Sequence, residues 1–461
     1  MGAFIRAAAE SRPPETAGWL AGSPTLGGDY ERDRAAFSDF WLAGLARLDA
    51  LPARARRSPA EQELAENLLA VSRADRARFL AAHAASLYRA LTEDLARFRR
   101  VEDLAYAAAE AVPGLVPTRE RVEAEATVAQ KDKDGHEIDQ GLLFNGFLAE
   151  RACGLHLCHA MLLPRAEALE LAPRLEREER IDLGTAIYER RGAVGTVFMK
   201  NPRFLNAEDE STVHQVETAV DLALLDPRAS ICVLRGAPIE GGKYDGRGVF
   251  CTGINLTRLY HGQIPYLWYL VREMGFINKI YRGLAYEDVT PDEERGETLE
   301  KVWVALVEKF AIGGGCQYLL VTDYILSADD AYMTLPARKE GIIPGAANMR
   351  LPRFVGDRLA RRLIMYDQRL DCDSPEGRLV CDEVVPAERL EAALEEATTR
   401  LTTSGVVSAA ANRRGFRIAD EPLDGFRAFM AVYAREQVYC HFSPALIRNL
   451  ERFWNAQSRA A

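Results

Sequence analysis

Between about Asp29 and Leu171 the apolar residues recur three and four apart against a background of alanine, arginine and glutamate, the spacing of one buried face on a helix. Ser58-Pro59-Ala60-Glu61 is a capping box with proline at the first helical position, and Leu64, Leu68 and Val71 then fall on one face. Leu80, Leu87 and Leu91 carry the spacing into the next segment. A helical domain over residues 1–180 is therefore predicted, with Pro164 and the charged stretch Arg174 to Arg180 at its end. After Arg190 the pattern changes. Gly192 to Lys200 and Ser230 to Leu234 are short β-rich runs with a helical stretch between them, and this alternation continues to about Val385, which predicts an α/β layer over 181–386. From 387 to 461 the helical period returns, with Phe426, Phe429 and Tyr433 on one face and Ser443-Pro444 opening a last helix.

A chain of 461 residues, 48% of them hydrophobic, can build more than one core. Its net charge of −10 comes from intermixed acids and bases, so no nucleic-acid surface is expected, and no apolar run approaches the length of a membrane span. Met1 to Glu10 is too short and too polar for a signal sequence, and Arg6 stands where a myristoylation motif wants Ser or Thr. The eight cysteines are scattered without CxxC pairs and read as reduced thiols, which makes the cytoplasm the expected compartment.

Two glycine-containing segments carry the candidate chemistry, Phe250 to Leu256 (FCTGINL) and Gly313 to Leu320 (GGGCQYLL). In the second, three glycines lead into an apolar helix, and the unpaired N–H groups of a helix start suit developing negative charge. A glycine triplet alone equally describes a tight turn needing positive φ.

The order of segments adds information. Asn201 to Ala207 (NPRFLNA), Phe250 to Leu256, GGGCQ, then Gly341 to Asn348 (GIIPGAAN) with Arg350-Leu351-Pro352-Arg353 resemble, in that order, the crotonase (enoyl-CoA hydratase/isomerase) superfamily over roughly Arg190 to Pro386. The resemblance implies an α/β crotonase-like spiral of ββα units, here preceded by a large all-helical N-terminal domain and followed by C-terminal helices, in trimers that usually pair into hexamers. It implies an acyl-CoA thioester as substrate, its oxygen held by the backbone N–H groups of Ile254 and Gly314, with Gly253 and Gly315 beside them. Arg203 takes a position from which the family often contacts coenzyme A; a solvated arginine beside a strand is the alternative.

Hydratases of this superfamily move water across a double bond with two glutamates. Here the first position, directly after GGGC, is Gln317, and the second, four residues before Gly341, is Ala337. Neither is an acid or a base at neutral pH, so hydration is not expected. An oxyanion hole without that pair, behind a long helical extension, resembles the branch of the superfamily from glycopeptide-antibiotic pathways that oxygenates an arylacetyl-CoA with no cofactor. That resemblance implies (3,5-dihydroxyphenyl)acetyl-CoA and O2 going to (3,5-dihydroxyphenyl)glyoxylate and CoA. Under it Glu208 orients the substrate, Arg272 meets a ring hydroxyl, Gln317 hydrogen-bonds the substrate, and Ala337 and Ile342 line an apolar space for O2. Glu208 is otherwise a helix-start glutamate, Arg272 a partnered arginine at a subunit contact, and Ala337 and Ile342 packing residues.

Cys153 to His159 (CGLHLCH) has the composition of a metal site, but on a helix Cys153 and Cys158 face different ways. Asp132-Lys133-Asp134-Gly135 resembles a calcium loop whose glycine comes too early and which no glutamate closes. No HExxH or dinucleotide GxGxxG is present, and neither metal, flavin nor nicotinamide is expected. Two other functions remain open: a crotonase-type thioesterase or decarboxylase acting on another acyl-CoA, and an inactive acyl-CoA-binding scaffold.

Overall fold

The computed structural model describes residues 18, 19, 22–289, 291–403 and 406–459, so Met1 to Glu10, where no signal sequence is expected, lies outside the described residues. The capping box forms at Ser58: its hydroxyl accepts from the Glu61 N–H and the Glu61 carboxylate accepts from the Ser58 N–H at 2.8 Å. After α1 (Tyr30–Asp49), the helix so capped, α2 (Pro59–Leu91), runs unbroken for 33 residues. Leu80, Leu87 and Leu91 thus share one helix with Leu64, because no glycine or proline interrupts the segment. Phe37 and Trp41 of α1 meet Phe79 of α2 at ring distances of 5.5 Å. Helices α3 (Val101–Ala111), α4 (Ile138–Ala149) and α5 (Arg151–Leu162) complete the larger helices of this layer.

Strand β1 begins at Arg180 (Arg180–Asp182) and pairs antiparallel with β2 (Ala186–Arg191), which pairs antiparallel with β3 (Val194–Met199). Helix α6 (Glu210–Leu225) then crosses to β4 (Ile231–Gly236), parallel to β3. From here the chain winds in repeated turns. After β4, Cys251 makes a bridge in a second layer, and α7 (Leu256–Tyr260) and α8 (Leu267–Arg272) follow; the short pair β5 (Leu284–Ala285) and β6 (Thr298–Leu299) stands aside. The next turns are β7 (Val302–Val307), β8 (Phe310–Ile312) and α9 (Gly314–Leu319), then β9 (Tyr324–Ala328), β10 (Tyr332–Thr334) and α10 (Ala337–Glu340). The first strand of each turn joins a seven-stranded sheet in the order β1-β2-β3-β4-β7-β9-β12 (β12 being Glu383–Val385); the second joins a smaller sheet, β11-β10-β8 (β11 being Leu370–Asp371), which Cys251 extends through Ala311. This is a spiral of ββα units. Helix α11 (Ala347–Met365), β11 (Leu370–Asp371) and β12 (Glu383–Val385) finish it.

The C-terminal helices are α12 (Leu390–Thr403), α13 (Val406–Asp420), α14 (Leu423–His441) and α15 (Pro444–Trp454). Ser443 caps the last of them by accepting from the Ala445 N–H at 3.1 Å. Phe426 and Tyr433 of α14 are buried, but that helix does not stay with its sequence neighbours. It packs back along α4, where a side chain at Gly141 would collide with Val438, and where Asn145 donates to the Ala431 carbonyl at 2.7 Å. Among the described residues no helix is long and apolar enough to cross a membrane.

Candidate active site

Beyond β3 the backbone turns through Leu205 and Asn206, both at positive φ (53° and 56°). The Asn206 amide fixes this turn by donating to the carbonyls of Ala237 (3.0 Å) and Val249 (2.7 Å), which lays residues 206–208 against the Phe250 segment. There the Glu208 N–H donates to the Gly253 carbonyl at 2.8 Å, and the Asn255 N–H to the Glu208 carbonyl at 2.7 Å. In such a parallel bridge the intervening residue points its own N–H away. The Ile254 N–H accordingly has no acceptor among the described residues.

Gly253 adopts φ +74°, and a Cβ there would lie 2.7 Å from the Ile312 carbonyl oxygen and 2.9 Å from the Gly314 nitrogen. Only glycine lets the two segments approach so closely. On the other segment the Gly313 N–H is used by the Thr334 carbonyl (2.8 Å), while the Gly314 N–H, first in α9, has no acceptor among the described residues. Ile254 and Gly314 both line a small inner cavity of about 30 Å³.

Arg272 dominates that cavity. It is 3% exposed, and its guanidinium grips Glu208 with two bonds (Nε to Oε1 2.8 Å, Nη2 to Oε2 2.9 Å). It donates further to Glu273 (2.6 Å), to the Gln317 side-chain oxygen (2.6 Å) and to the Gly314 carbonyl (3.0 Å). Burial works to discharge the guanidinium, but the carboxylates of Glu208 and Glu273 outweigh it and hold the arginine charged. Tyr318 donates to Glu208 at 2.5 Å, and burial, reinforced by that carboxylate, keeps the phenol protonated. Because Arg272 occupies the Gln317 oxygen, the amide nitrogen of Gln317 is left as its donor end. Arg272 and Glu273 both face the cavity because they lie one helical turn after Trp268 and Tyr269, which line it too.

The structure gathers most of the sequence-derived residues here, and separates others. Ile254, Gly314, Arg272, Gln317, Ala337 and Ile342 line the inner cavity. Gly253 and Gly315 do not; they sit behind its wall, where a side chain on Gly315 would run into the Cys251 carbonyl. Glu208 also stays out of the wall and reaches the cavity through Arg272. Arg203 lies on a separate, open groove of about 650 Å³ with Lys339 and Arg459, where Leu450, Phe453 and Trp454 of the last helical segment supply an apolar side. Ile254 and Glu340 alone line both spaces among the described residues.

Sequence reasoning missed Glu273 and Glu340. Glu340 is 8% exposed, and burial, with the charge of Asp367 adding, raises its carboxyl to about 7. The only sequence signal for Glu340 is an acid directly before Gly341. The histidines of Cys153 to His159 have protein partners: His156 meets the Tyr88 hydroxyl at 2.9 Å and His159 the Tyr286 carbonyl at 3.0 Å. Asp134 is held by Arg57 at 2.6 and 2.8 Å. One group with metal-ligand spacing, Glu102, Glu210 and His214, stands among the described residues in a different pocket, with Arg165 donating to the His214 ring.

A spiral of ββα turns carrying two unpaired N–H donors over one cavity defines the class. Residues 189–422 match the enoyl-CoA hydratase/isomerase family, and the chain belongs to it. Within it, the chain is 46% identical to the (3,5-dihydroxyphenyl)acetyl-CoA 1,2-dioxygenase of Amycolatopsis orientalis over 391 residues, 85% of this chain and 88% of that one. That likeness extends well beyond the matched family stretch into the flanking helices. The crotonyl-CoA hydratase of Syntrophomonas wolfei subsp. wolfei is 24% identical over 48% of this chain and 76% of its own length. Among solved structures, an enoyl-CoA hydratase from Mycobacterium avium subsp. paratuberculosis K-10 is 20% identical, with a TM-score of 0.48 over 58% of this chain and 98% of that one.

Proposed function

We propose that this chain is a dioxygenase that uses no metal, flavin or nicotinamide and converts (3,5-dihydroxyphenyl)acetyl-CoA and O2 into (3,5-dihydroxyphenyl)glyoxylate and CoA. The observation that carries this reading is 46% identity, over most of both chains, with a dioxygenase named for that substrate. A cavity with Gln317 and Ala337 at the two hydratase positions agrees with it. The coenzyme lies in the outer groove, with Arg203 near its phosphates, and the acyl end enters the inner cavity. The thioester oxygen accepts from the N–H groups of Ile254 and Gly314, donors fixed in advance and worth roughly 3–4 kcal/mol each to a developing enolate. Arg272, whose five N–H groups are held by Glu208, Glu273, Gln317 and the Gly314 carbonyl, meets a ring hydroxyl by giving up one of those bonds; Gln317 donates to the substrate; Ala337 and Ile342 leave room for O2.

Loss of one α-hydrogen as a proton gives the enolate, which passes one electron to O2. The two radicals join in a Cα–O bond. The distal peroxide oxygen attacks the thioester carbon, CoA thiolate leaves, and loss of the second α-hydrogen with O–O cleavage leaves ketone and carboxylate. Both oxygen atoms end in the product. A cytoplasmic trimer or hexamer completes the reading, supported by eight free thiols and by the exposed apolar side chains of Met365, Tyr366 and Phe416.

The test is O2 uptake by chelator-treated enzyme supplied with the ester, with CoA and arylglyoxylate measured together. One O2 consumed per CoA and per glyoxylate is expected. CoA release at the same rate under argon would replace the dioxygenase by a thioesterase, and ester binding without turnover would leave a scaffold.

A further inference from the structure

The reaction just described removes two hydrogens from one carbon, and none of the groups assigned to it accepts either. Gln317 and Ala337 are not bases. The carboxylate oxygens of Glu208 are taken by Arg272 and Tyr318, and those of Glu273 by Arg272 and the Ala346 N–H (3.2 Å). Glu340 differs from both. Its side chain is more than nine-tenths buried, accepts no hydrogen bond among the described residues, and faces open space at the junction of the inner cavity and the outer groove. It also stands over the glycine loop: a Cβ on Gly313 would lie 3.7 Å from one of its oxygens and 3.9 Å from the other. Ile254, whose N–H would hold the thioester oxygen, is the other residue at that junction. An ester that reaches from the groove into the inner cavity therefore passes between Ile254 and Glu340.

We propose that Glu340 is the proton acceptor for both α-hydrogens. In the first step the Cα–H bond breaks, its electron pair becomes the enolate double bond with charge on the thioester oxygen, and the proton moves to Glu340. The proton leaves through the groove before the second step. In that step the remaining Cα–H pair forms the ketone as the O–O bond breaks, and Glu340 takes the second proton. The assignment of the second hydrogen rests on the dioxygenase reading; that of the first needs only an enolate. A carboxyl that ionises near pH 7 suits both uptake and release. The groups around it are Asp367, itself paired with Arg338 at 2.6 Å, Tyr269 from α8, Lys339 beside it in the groove, and Arg272 and Glu273 across the cavity.

The experiment follows deuterium entry at Cα of (3,5-dihydroxyphenyl)acetyl-CoA in D2O under argon, and O2 uptake in air, for the full-length chain, Glu340→Gln and Glu340→Asp. Removal of a general base predicts a loss of about 10²–10⁴-fold in both rates for the Gln variant. Ester affinity by calorimetry should stay within about threefold, and the Asp variant should recover part of the loss. The wild-type rates should climb as pH rises through about 7, a limb missing in Glu340→Gln. Wild-type rates of O2 uptake or of deuterium entry in folded Glu340→Gln would overturn the assignment. Deuterium entry that depends on Glu340 without any O2 uptake would sink the dioxygenase reading and leave the acceptor in place. If the Gln variant does not fold, an Asp variant with wild-type rates and an unchanged pH profile overturns the proposal equally.

Discussion

Replacing Arg272 by methionine keeps an unbranched stem of similar length and removes the cation that Glu208 and Glu273 share, at 5% and 1% exposure. Breaking a buried ion pair from one side costs about 3–5 kcal/mol. A stranded carboxylate has one escape, protonation, which for an ordinary glutamate costs about 3.7 kcal/mol at pH 7 and about 1 kcal/mol at pH 5. That caps the loss for each carboxylate. The Gly314 carbonyl and the Gln317 oxygen also lose a donor, a smaller and pH-independent loss of about 1–3 kcal/mol each. Arg272→Met should therefore fall below wild type by about 5–11 kcal/mol at pH 7, with roughly half of the gap closed at pH 5. The sign follows from linkage: in the variant both carboxyls ionise less readily folded than unfolded, so the penalty is absent at low pH and grows as pH rises. Urea midpoints at pH 5, 6, 7 and 8 measure it, with Glu208→Gln/Glu273→Gln/Arg272→Met as the control that should lose the pH dependence. A gap that stays constant from pH 5 to 8, or survives unchanged in that control, would refute charge pairing as the role of this cluster.

Gly253→Ala should lower kcat by about 10²–10³-fold with ester affinity retained, since a methyl there pushes on the Gly314 nitrogen and displaces an N–H donor; equal kcat would contradict the placement of both donors. Gln317→Glu puts a third carboxylate on an arginine already shared by two, so the variant should lose stability as pH rises above about 5, seen in its melting temperature, and should show no hydratase activity because Ala337 remains. Burial raises the Glu340 carboxyl from 4.5 to about 7, so its favourable contribution is complete below pH 4.5 and fades through pH 7 by roughly 3 kcal/mol; Glu340→Gln should flatten that slope in a stability profile. Ser58→Ala should cost about 1 kcal/mol in unfolding midpoint and leave turnover unchanged, because the cap lies outside the cavity.

Local signals were legible where the chemistry is local. The capping box at Ser58, the strands around Val194 and Ile231, and the Ser443 cap follow from residues within a few positions of one another. The glycine segments were legible through their order along the chain, while the close approach of Gly253 to the Ile312 carbonyl and the Gly314 nitrogen is seen only in the structure. Glu273 was hidden because in the sequence it reads as one more charge beside Arg272, and only the packed fold brings Arg272 and the Ala346 N–H onto its carboxylate. Glu340 was hidden because attention to the position four before Gly341 ends on Ala337, while the short helix α10 brings its last residue to the cavity mouth. The return of α14 onto α4 depends on contacts nearly 300 residues apart, which no periodicity encodes.

That return has a consequence for how such a protein can be recombined. One side of α14 supplies Tyr433 to the inner cavity, and its Gln437 accepts from the Ile343 N–H at 2.8 Å. Its other contacts reach Asn145 and, through the His441 carbonyl, Gln130 at 2.9 Å. The rear wall of the cavity is thus the floor on which the N-terminal helices rest. A chimera that grafts only the family-matched stretch, ending at 422, onto foreign flanks would inherit the donors at Ile254 and Gly314 but not the wall behind them. The first and last parts of the chain form a matched pair that has to be exchanged together.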